Sequence, residues 1–224
     1  MAFPLYLALT ASEILNIDTP PRPYAWMACH YSCYSTGLSN LPDTLTPGSM
    51  VILNDRTPPC GHDPAFIAMQ LSELVEVFSV DSVLLDLQRP DLEENARIAA
   101  CIAETLTCPV GVSALYGETL PCPVFLPPVP PHKSLQDYLS PWVGREIWLD
   151  AATSREQITV TAEGSRIEPA QSVSVSGFEE ENLHCHYCID ICEDRAVFNL
   201  WRTPEDLTAL LQEAEALGVT KAIG

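Results

Sequence analysis

Three short apolar runs decide the fold: SMVIL at positions 49–53, SVLLDL at 82–87 and VGV at 110–112. Continuous apolar runs of this length are typical of strands that are buried on both faces. Between them lie two segments with apolar residues at helical spacing, and Asp63 and Pro64 suit the N-cap and first turn of the first one. Because strands that alternate with helices pair in parallel, the pattern predicts a β/α architecture.

The C-terminal residues continue this pattern. Thr203 begins a capping-box-like helix start, Gly218 ends that helix, and residues 219–223 predict a further strand. We therefore predict an α/β fold, a small (β/α) TIM-type barrel in a single domain spanning residues 1–224. A closed eight-stranded barrel continues into a last helix, so a chain that ends at Gly224 is expected to form an incomplete or trimmed barrel.

The segment between these two regions has a weaker pattern. Short strands are expected at 124–126 and 146–149, with a helical turn near residues 134–139 between them. Residues 157–161 and 183–201 instead contain stretches that alternate with a period of two. Such alternation predicts one or two antiparallel hairpins added to the parallel sheet.

The charge of the chain limits its partners. Lys and Arg number 11 against 30 Asp and Glu, a net charge of −19 at pH 7. Such a chain repels phosphate backbones and anionic lipid, so we exclude nucleic-acid and membrane-surface partners.

The sequence also predicts where the protein is located. The N-terminal residues carry no secretory signal and no apolar run reaches the roughly 18 residues of a membrane span, so we expect a cytoplasmic protein. Nine cysteines, an odd number, and the absence of an Asn-x-Ser/Thr site favour free thiols.

Candidate functional residues follow the predicted strands, because barrel enzymes place their sites at the carboxyl ends of parallel strands. Motifs for phosphate-binding loops, zinc proteases and nucleophile elbows are absent from the sequence. The candidate catalytic residues are Asp86, Asp150 and Asp55, and the candidate substrate-binding residues are Asp86, Gln88, Tyr116, Trp148 and Asp150.

The second strand resembles a known catalytic motif. Residues 81–88 read DSVLLDLQ, similar to the D-x-x-D-x-D-x-E strand of glycoside hydrolase family 18, the chitinase-like barrels. Asp81 and Asp86 match this motif, whereas Leu84 replaces its middle aspartate and Gln88 its final glutamate. In that family the glutamate protonates the glycosidic oxygen, and the aspartate two residues earlier orients the N-acetyl group of the substrate.

The resemblance covers residues 49–88 and implies a barrel with a sugar site at its mouth. An amide has no proton to give at neutral pH, so the family's general-acid step cannot run with Gln88. Three functions stay open: a carbohydrate-binding or catalytically degenerate barrel, an active glycoside hydrolase that pairs Asp86 with Asp150 or Asp55, and a protein-binding domain. Asp81, Asp86 and Gln88 are explained equally well as ordinary polar residues at a turn and a strand end.

The stretch HCHYCIDIC at positions 184–192 is rich in metal-ligating residues. Strand alternation would place His184, His186, Cys188, Asp190 and Cys192 on one face. Structural zinc usually takes two separate ligand pairs, and the second pair is missing, so we predict no metal and no cofactor. A hairpin with a polar outer face explains the same pattern.

Two further patterns have a functional and a structural explanation. Cys29-His30 or Cys60-Gly61-His62 would suit a thiol nucleophile, although a free cysteine is more often a small core residue. Aromatic residues near the strands could stack on sugar rings, yet aromatic residues beside apolar strands usually belong to the core.

Overall fold

The computed structural model describes residues 3–17, 23–170 and 177–224. The chain divides into two compact units. The first, the barrel unit, comprises Pro4–Leu126, Arg145–Leu149 and Thr220–Gly224, and the second, the insert unit, is formed mainly by Pro127–Gly144 and Asp150–Val219. Within the described residues, no helix combines the length and the apolar character needed to cross a bilayer.

Eight parallel strands form a closed barrel with helices between them, and a two-residue strand lies antiparallel beside β2. In chain order the elements up to β8 are β1 (Leu5–Leu9), α1 (Ala11–Leu15), β2 (Tyr24–Tyr31), β3 (Leu38–Ser39), β4 (Met50–Asn54), α2 (Pro64–Phe78), β5 (Ser82–Asp86), α3 (Glu93–Thr105), β6 (Val110–Ser113), β7 (Val124–Leu126), α4 (Leu135–Leu139) and β8 (Ile147–Asp150).

The remaining elements are β9 (Arg155–Thr161), β10 (Gly164–Pro169), β11 (Phe178–Glu180), β12 (Cys185–Ile191), β13 (Arg195–Trp201), α5 (Pro204–Ala216) and β14 (Val219–Ile223). The ring runs β1-β14-β8-β7-β6-β5-β4-β2 and closes where β1 pairs in parallel with β2. The predicted TIM-type barrel is confirmed. Its ring is complete rather than interrupted, because β1 and β2, which the sequence analysis did not identify, supply the missing strands.

The helices of the barrel unit form where capping and periodicity predict them. The Asp63 side chain accepts the N–H of Ala65 and caps α2, and Ser79 ends that helix in the left-handed region at φ 53°. On α2 and α3, buried residues such as Ile67 and Ile98 pack against the outward side chains of the strands, for example Leu85. The strands carry apolar residues on the side that faces the helices because those residues are buried in this outer core.

The inward side chains form a second, smaller core in which Trp148 is the largest residue. It is fully buried and packs with Met50, Ile52 and Leu84. Gly111 of β6 makes room for its indole ring, because a Cβ atom at this position would lie 2.3 Å from two ring carbons. The middle of the barrel is therefore filled by side chains.

A charged cluster closes the end of the barrel where the strands begin. The Lys221 Nζ donates to the Asp81 carboxylate and, at 3.0 Å, to the hydroxyl of Ser82. Asp81 also accepts the hydroxyl of Tyr6 at 2.7 Å, and the ammonium lies 5.0 Å from the ring centroid of Trp148. Burial raises the pKa of Asp81, but the hydrogen bonds from Lys221 and Tyr6 outweigh it and leave this pKa below its usual value.

The insert unit contains a five-stranded antiparallel sheet in the order β10-β9-β13-β12-β11, which confirms the predicted hairpins. Arg202 connects two backbone segments of the insert unit by hydrogen bonds. Its buried guanidinium donates to the carbonyl oxygens of Val129, Leu183 and His184. Burial lowers the pKa of Arg202, and the carbonyl oxygens satisfy the donors that burial removes from water.

Candidate functional site

The two central candidates, Asp86 and Gln88, lie together at the carboxyl end of β5. Leu84 packs inside the barrel, so Asp86, two residues further on, faces the same side. The Nε2 of Gln88 donates a hydrogen bond to Oδ1 of Asp86. Asp86 is half-buried and Gln88 is exposed. The amide that occupies the acid position of the family 18 motif is thus bound to the motif aspartate.

The surroundings of Asp86 shift the pKa of its carboxyl group upward. Burial raises the pKa of this carboxyl above its usual value, and the negative charge of Asp55 acts in the same direction. The hydrogen bond from Gln88 opposes both effects without cancelling them. A carboxyl group with a raised pKa is a candidate for proton transfer as well as for ligand binding.

Asp55 holds the loop that follows β5. Its carboxylate is only 3% exposed and accepts the backbone N–H groups of Gln88 and Arg89, each at 3.0 Å. A fourth residue, Asn95, donates its Nδ2 to Asp55 at 2.9 Å. Because these contacts engage both carboxylate oxygens, the geometry assigns Asp55 a role in fixing the loop, and its predicted catalytic role receives no support from its surroundings.

Tyr116 supports the same loop from another side. Its side chain is buried, and its hydroxyl donates to the carbonyl oxygen of Arg89 at 2.8 Å. The hydroxyl of Ser113 donates to the carbonyl oxygen of Leu87 at 2.7 Å. Residues 87–89 are therefore held by hydrogen bonds on consecutive residues, and Tyr116 offers little surface for stacking on a sugar.

Trp148 and Asp150 are the remaining predicted site residues. Trp148 is fully buried, and its indole N–H donates to Glu146 at 3.1 Å, next to the residue that begins β8. It therefore points toward the end of the barrel where the strands begin. Asp150 ends β8, and its Oδ1 accepts the N–H of Ala152 at 2.8 Å, which fixes the turn after the strand.

The register of the sheet brings two further polar residues next to Asp86. His30 of β2 pairs with Asn54 of β4, and Asn54 pairs with Asp86 of β5. Residues in register on neighbouring parallel strands lie about 4.8 Å apart on one side of the sheet. His30, Asn54 and Asp86 therefore form a polar row on the inner side of the mouth, which we call the mouth row.

A local irregularity in β2 brings His30 into this row. The pairing of β2 with β4 shifts between Trp26 and Cys29, and the Nδ2 of Asn54 donates to the carbonyl oxygens of Met27 and Cys29, at 3.2 and 3.0 Å. The shift reverses the alternation expected for a regular strand. Periodicity alone could therefore not predict that the His30 side chain lies at the mouth. The apolar sequence YAWMACHY at positions 24–31 indicates only that a buried strand is present.

The structure does not support the predicted thiol nucleophiles. Cys29 is fully buried, and burial raises the pKa of its thiol to about 12, so the reactive thiolate is suppressed near neutral pH. Near Cys60, it is the backbone N–H of this residue that donates to Nδ1 of His62, at 2.9 Å. All nine cysteines are free thiols in the structure.

The predicted ligand-rich face of residues 184–192 is interrupted at its start. His184 precedes β12 and adopts a left-handed conformation at φ 46°, so strand alternation does not extend to it. His184 pairs with Glu213 at 2.8 Å and His186 with Asp206 at 2.9 Å. In the described part of the chain, no three His, Cys, Asp or Glu side chains come together as a metal site.

Comparison with known proteins yields structural matches only. No protein-family model matches the chain, and no curated protein matches its sequence. The spore cortex-lytic enzymes SleL of Bacillus megaterium QM B1551 and of Bacillus cereus each superpose with a TM-score of 0.55 and 8% identity, covering 99% of this chain and 70% of theirs. A Bacillus subtilis protein described as a sporulation-specific glycosylase, ydhD, gives a TM-score of 0.53 at 7% identity, with 92% of both chains covered. The chain therefore shares the barrel fold of these proteins.

Proposed function

We propose that this chain is a carbohydrate-binding, catalytically degenerate relative of the family 18 glycoside hydrolases. The observation that carries the proposal is the hydrogen bond between Gln88 and Asp86 at the carboxyl end of β5. In the resembled motif a glutamate in place of Gln88 donates the proton that the leaving oxygen needs. A primary amide in this position can donate a hydrogen bond but not a proton.

Binding can persist where this catalytic step is lost. The mouth row offers a carboxylate, an amide and an imidazole side by side, and sugar hydroxyls pair with such mixed donors and acceptors. Asp55, Ser113 and Tyr116 fix the loop that carries Gln88. A loop that is already ordered loses little conformational freedom when a ligand binds, which favours affinity.

The test measures binding and turnover on the same samples. N-acetylglucosamine oligomers and a broad glycan panel are added to the wild-type protein, and the melting temperature is followed. A ligand at 100 times its dissociation constant stabilises the protein by about 2.7 kcal/mol. Asp86→Asn should weaken binding by about 10-fold or more because a charged hydrogen-bond acceptor is lost. The matched control is Asp43→Asn, the same change at an exposed loop residue.

Three outcomes decide between the alternatives. Thermal protection that Asp86→Asn removes and Asp43→Asn retains, without hydrolysis, supports the proposal. Hydrolysis by the unmodified protein would show that another residue acts as the acid. The absence of any shift across the panel would eliminate the carbohydrate-binding function and leave the protein-binding alternative.

The second candidate function is an active glycoside hydrolase in which Asp86 supplies the proton. The raised pKa of Asp86 favours it, because a catalytic acid must hold its proton near the working pH. This function predicts turnover by the wild-type protein that is greatest at acidic pH and is abolished by Asp86→Asn. Gln88→Glu should then change the pH profile without being needed for activity.

Other properties of the chain are proposed on its charge and composition. The net charge of −19 supports the proposal that nucleic acid and anionic membranes are not partners. The odd number of nine cysteines and the absence of an Asn-x-Ser/Thr site support a reducing, cytoplasmic location. A carbohydrate or another small molecule is the proposed ligand, bound without a metal or cofactor.

A further inference from the structure

The antiparallel sheet of the insert unit has one apolar face. Cross-strand partners share a face, and the register places Ile167, Ile158, Phe198 and Ile189 in one row across four strands. The neighbouring row toward the hairpin turns contains Val160 and Ile191. We call this surface the apolar face; it is represented by Val160, Ile167, Phe178, Ile189, Ile191 and Phe198.

This face is exposed, although the apolar side of an antiparallel sheet normally packs on a core. Phe178 and Ile191 expose 67% and 82% of their surfaces, and Val160, Ile167 and Ile189 expose 39% to 47%. The opposite face carries polar residues such as Thr159, Arg166 and Asp190. Much of the apolar side of the sheet is therefore accessible to solvent, whereas Leu200 on the same side is buried.

The exposed area is sufficient for a weak interface. Taking roughly 200 Å² for the full surface of such a side chain, the five most exposed residues present about 500 Å² of apolar surface. That area is comparable to the largest apolar patch of a typical monomer, which is often functional. Two such faces together would bury about 1,000 Å², the lower limit for a specific protein interface. The expected complex is therefore a weak one.

The absence of charge on this face permits a second copy of this chain as the occupant. Two copies with a net charge of −19 each repel one another, so they can meet only where both surfaces lack charge. The two rows of the apolar face nearest the hairpin turns contain no ionisable side chain. Glu156, in the next row, is paired with His132 at 2.7 Å. The two rows without ionisable side chains can therefore face the same rows of a second copy without repulsion between them.

We propose that the chain forms a weak two-fold dimer in which the apolar faces of two insert-unit sheets pack on each other. The geometry is that of two aligned sheets about 10 Å apart, crossing at about −30°. The side chains of Ile167, Ile189 and Ile191 interdigitate with those of the second copy. Because the copies repel elsewhere, added salt strengthens the dimer.

The experiment is sedimentation equilibrium of the full chain from about 1 to 300 µM, a range suited to weak association. The average mass should rise from 24.6 kDa toward twice that value, at lower protein concentrations in 0.5 M salt than in about 0.05 M salt. Ile191→Asp and Ile191→Lys should both remain monomeric, since each would bury an unpaired charge in the interface. The exposed position of Ile191 leaves folding unaffected.

Val77→Asp provides the matched control. Val77 is a 72% exposed aliphatic residue of α2, outside the apolar face, and the change adds the same charge. It should associate as the wild-type protein does. A wild-type mass that stays at 24.6 kDa throughout refutes the proposal and assigns the face to another segment of the chain or to a different protein. Equal dissociation by Val77→Asp would also refute it, because net charge rather than the face would then control association.

Discussion

Gly111→Ala should destabilise the barrel by overfilling its interior. The added Cβ would lie 2.3 Å from two carbons of the Trp148 ring, more than 1 Å inside normal contact. Trp148 cannot move away easily, because it is fully buried and its indole N–H is bound to Glu146. Overpacking of a filled core typically costs 1–3 kcal/mol, and this contact is severe, so we expect a loss of about 2 to 4 kcal/mol.

For a chain of this length the loss corresponds to a fall in melting temperature of about 5 to 15 °C. Urea unfolding followed by tryptophan fluorescence measures it. The control is a double-mutant cycle with Trp148→Leu, which removes the two ring carbons in conflict with the new methyl group. Trp148→Leu alone creates a cavity, but the double variant should be more stable than the sum of the two single effects by at least about 1 kcal/mol. Strict additivity of the two changes would refute the packing argument.

Asp55→Asn should destabilise the protein by about 2 kcal/mol, because the Asp55 carboxylate accepts hydrogen bonds from the backbone N–H groups of Gln88 and Arg89. Hydrogen exchange at these two amides should also become faster. Unchanged exchange rates would contradict the role of Asp55 in holding the loop. Asp86 has a raised pKa in the folded state, so its contribution to stability is complete below its unfolded pKa of about 3.9 and is lost as pH rises through the folded value. Asp86→Asn should therefore be at least as stable as wild type at pH 7 and lose that advantage near pH 3 in chemical denaturation. Elemental analysis should find no stoichiometric metal, and about one zinc per chain would show that prediction to be wrong. Thiol titration of denatured, unreduced protein should find the nine free cysteines reactive, whereas a majority of blocked thiols would contradict it.

The sequence predicts the central strands of the barrel because their environment is simple. Strands β4 and β5 are buried on both sides, so every residue from Met50 to Leu53 is apolar, and the helix that follows β4 carries a clear cap at Asp63. Strand β1 was missed because Leu5 and Leu7 are exposed, which weakens the pattern of a buried strand. Strand β2 was missed because its register shift breaks the period that identifies a strand.

In the candidate site, too, contacts between residues close in sequence could be predicted, whereas contacts between residues far apart in sequence could not. The proximity of Asp86 and Gln88 follows from their spacing on one strand, which sequence alone provides. The contact of Asp55 with Asn95 joins residues 40 positions apart, and no local pattern indicates it. Trp148 was predicted to bind substrate because aromatic residues suit sugars, and only the position of Gly111 opposite its ring shows that it fills the barrel.

The strand at residues 81–88 carries residues that serve two different ends of the barrel. Asp81 accepts hydrogen bonds from Tyr6 and Lys221 where the strands begin, so its removal would leave a buried ammonium without its carboxylate. At the other end the loop is held by the backbone N–H of Gln88, while the side chain of Gln88 is exposed. Exchanging glutamate for glutamine there leaves every backbone contact in place. Asp81 is therefore held by contacts within the barrel, whereas the exposed side chain of Gln88 bonds to Asp86 at the mouth.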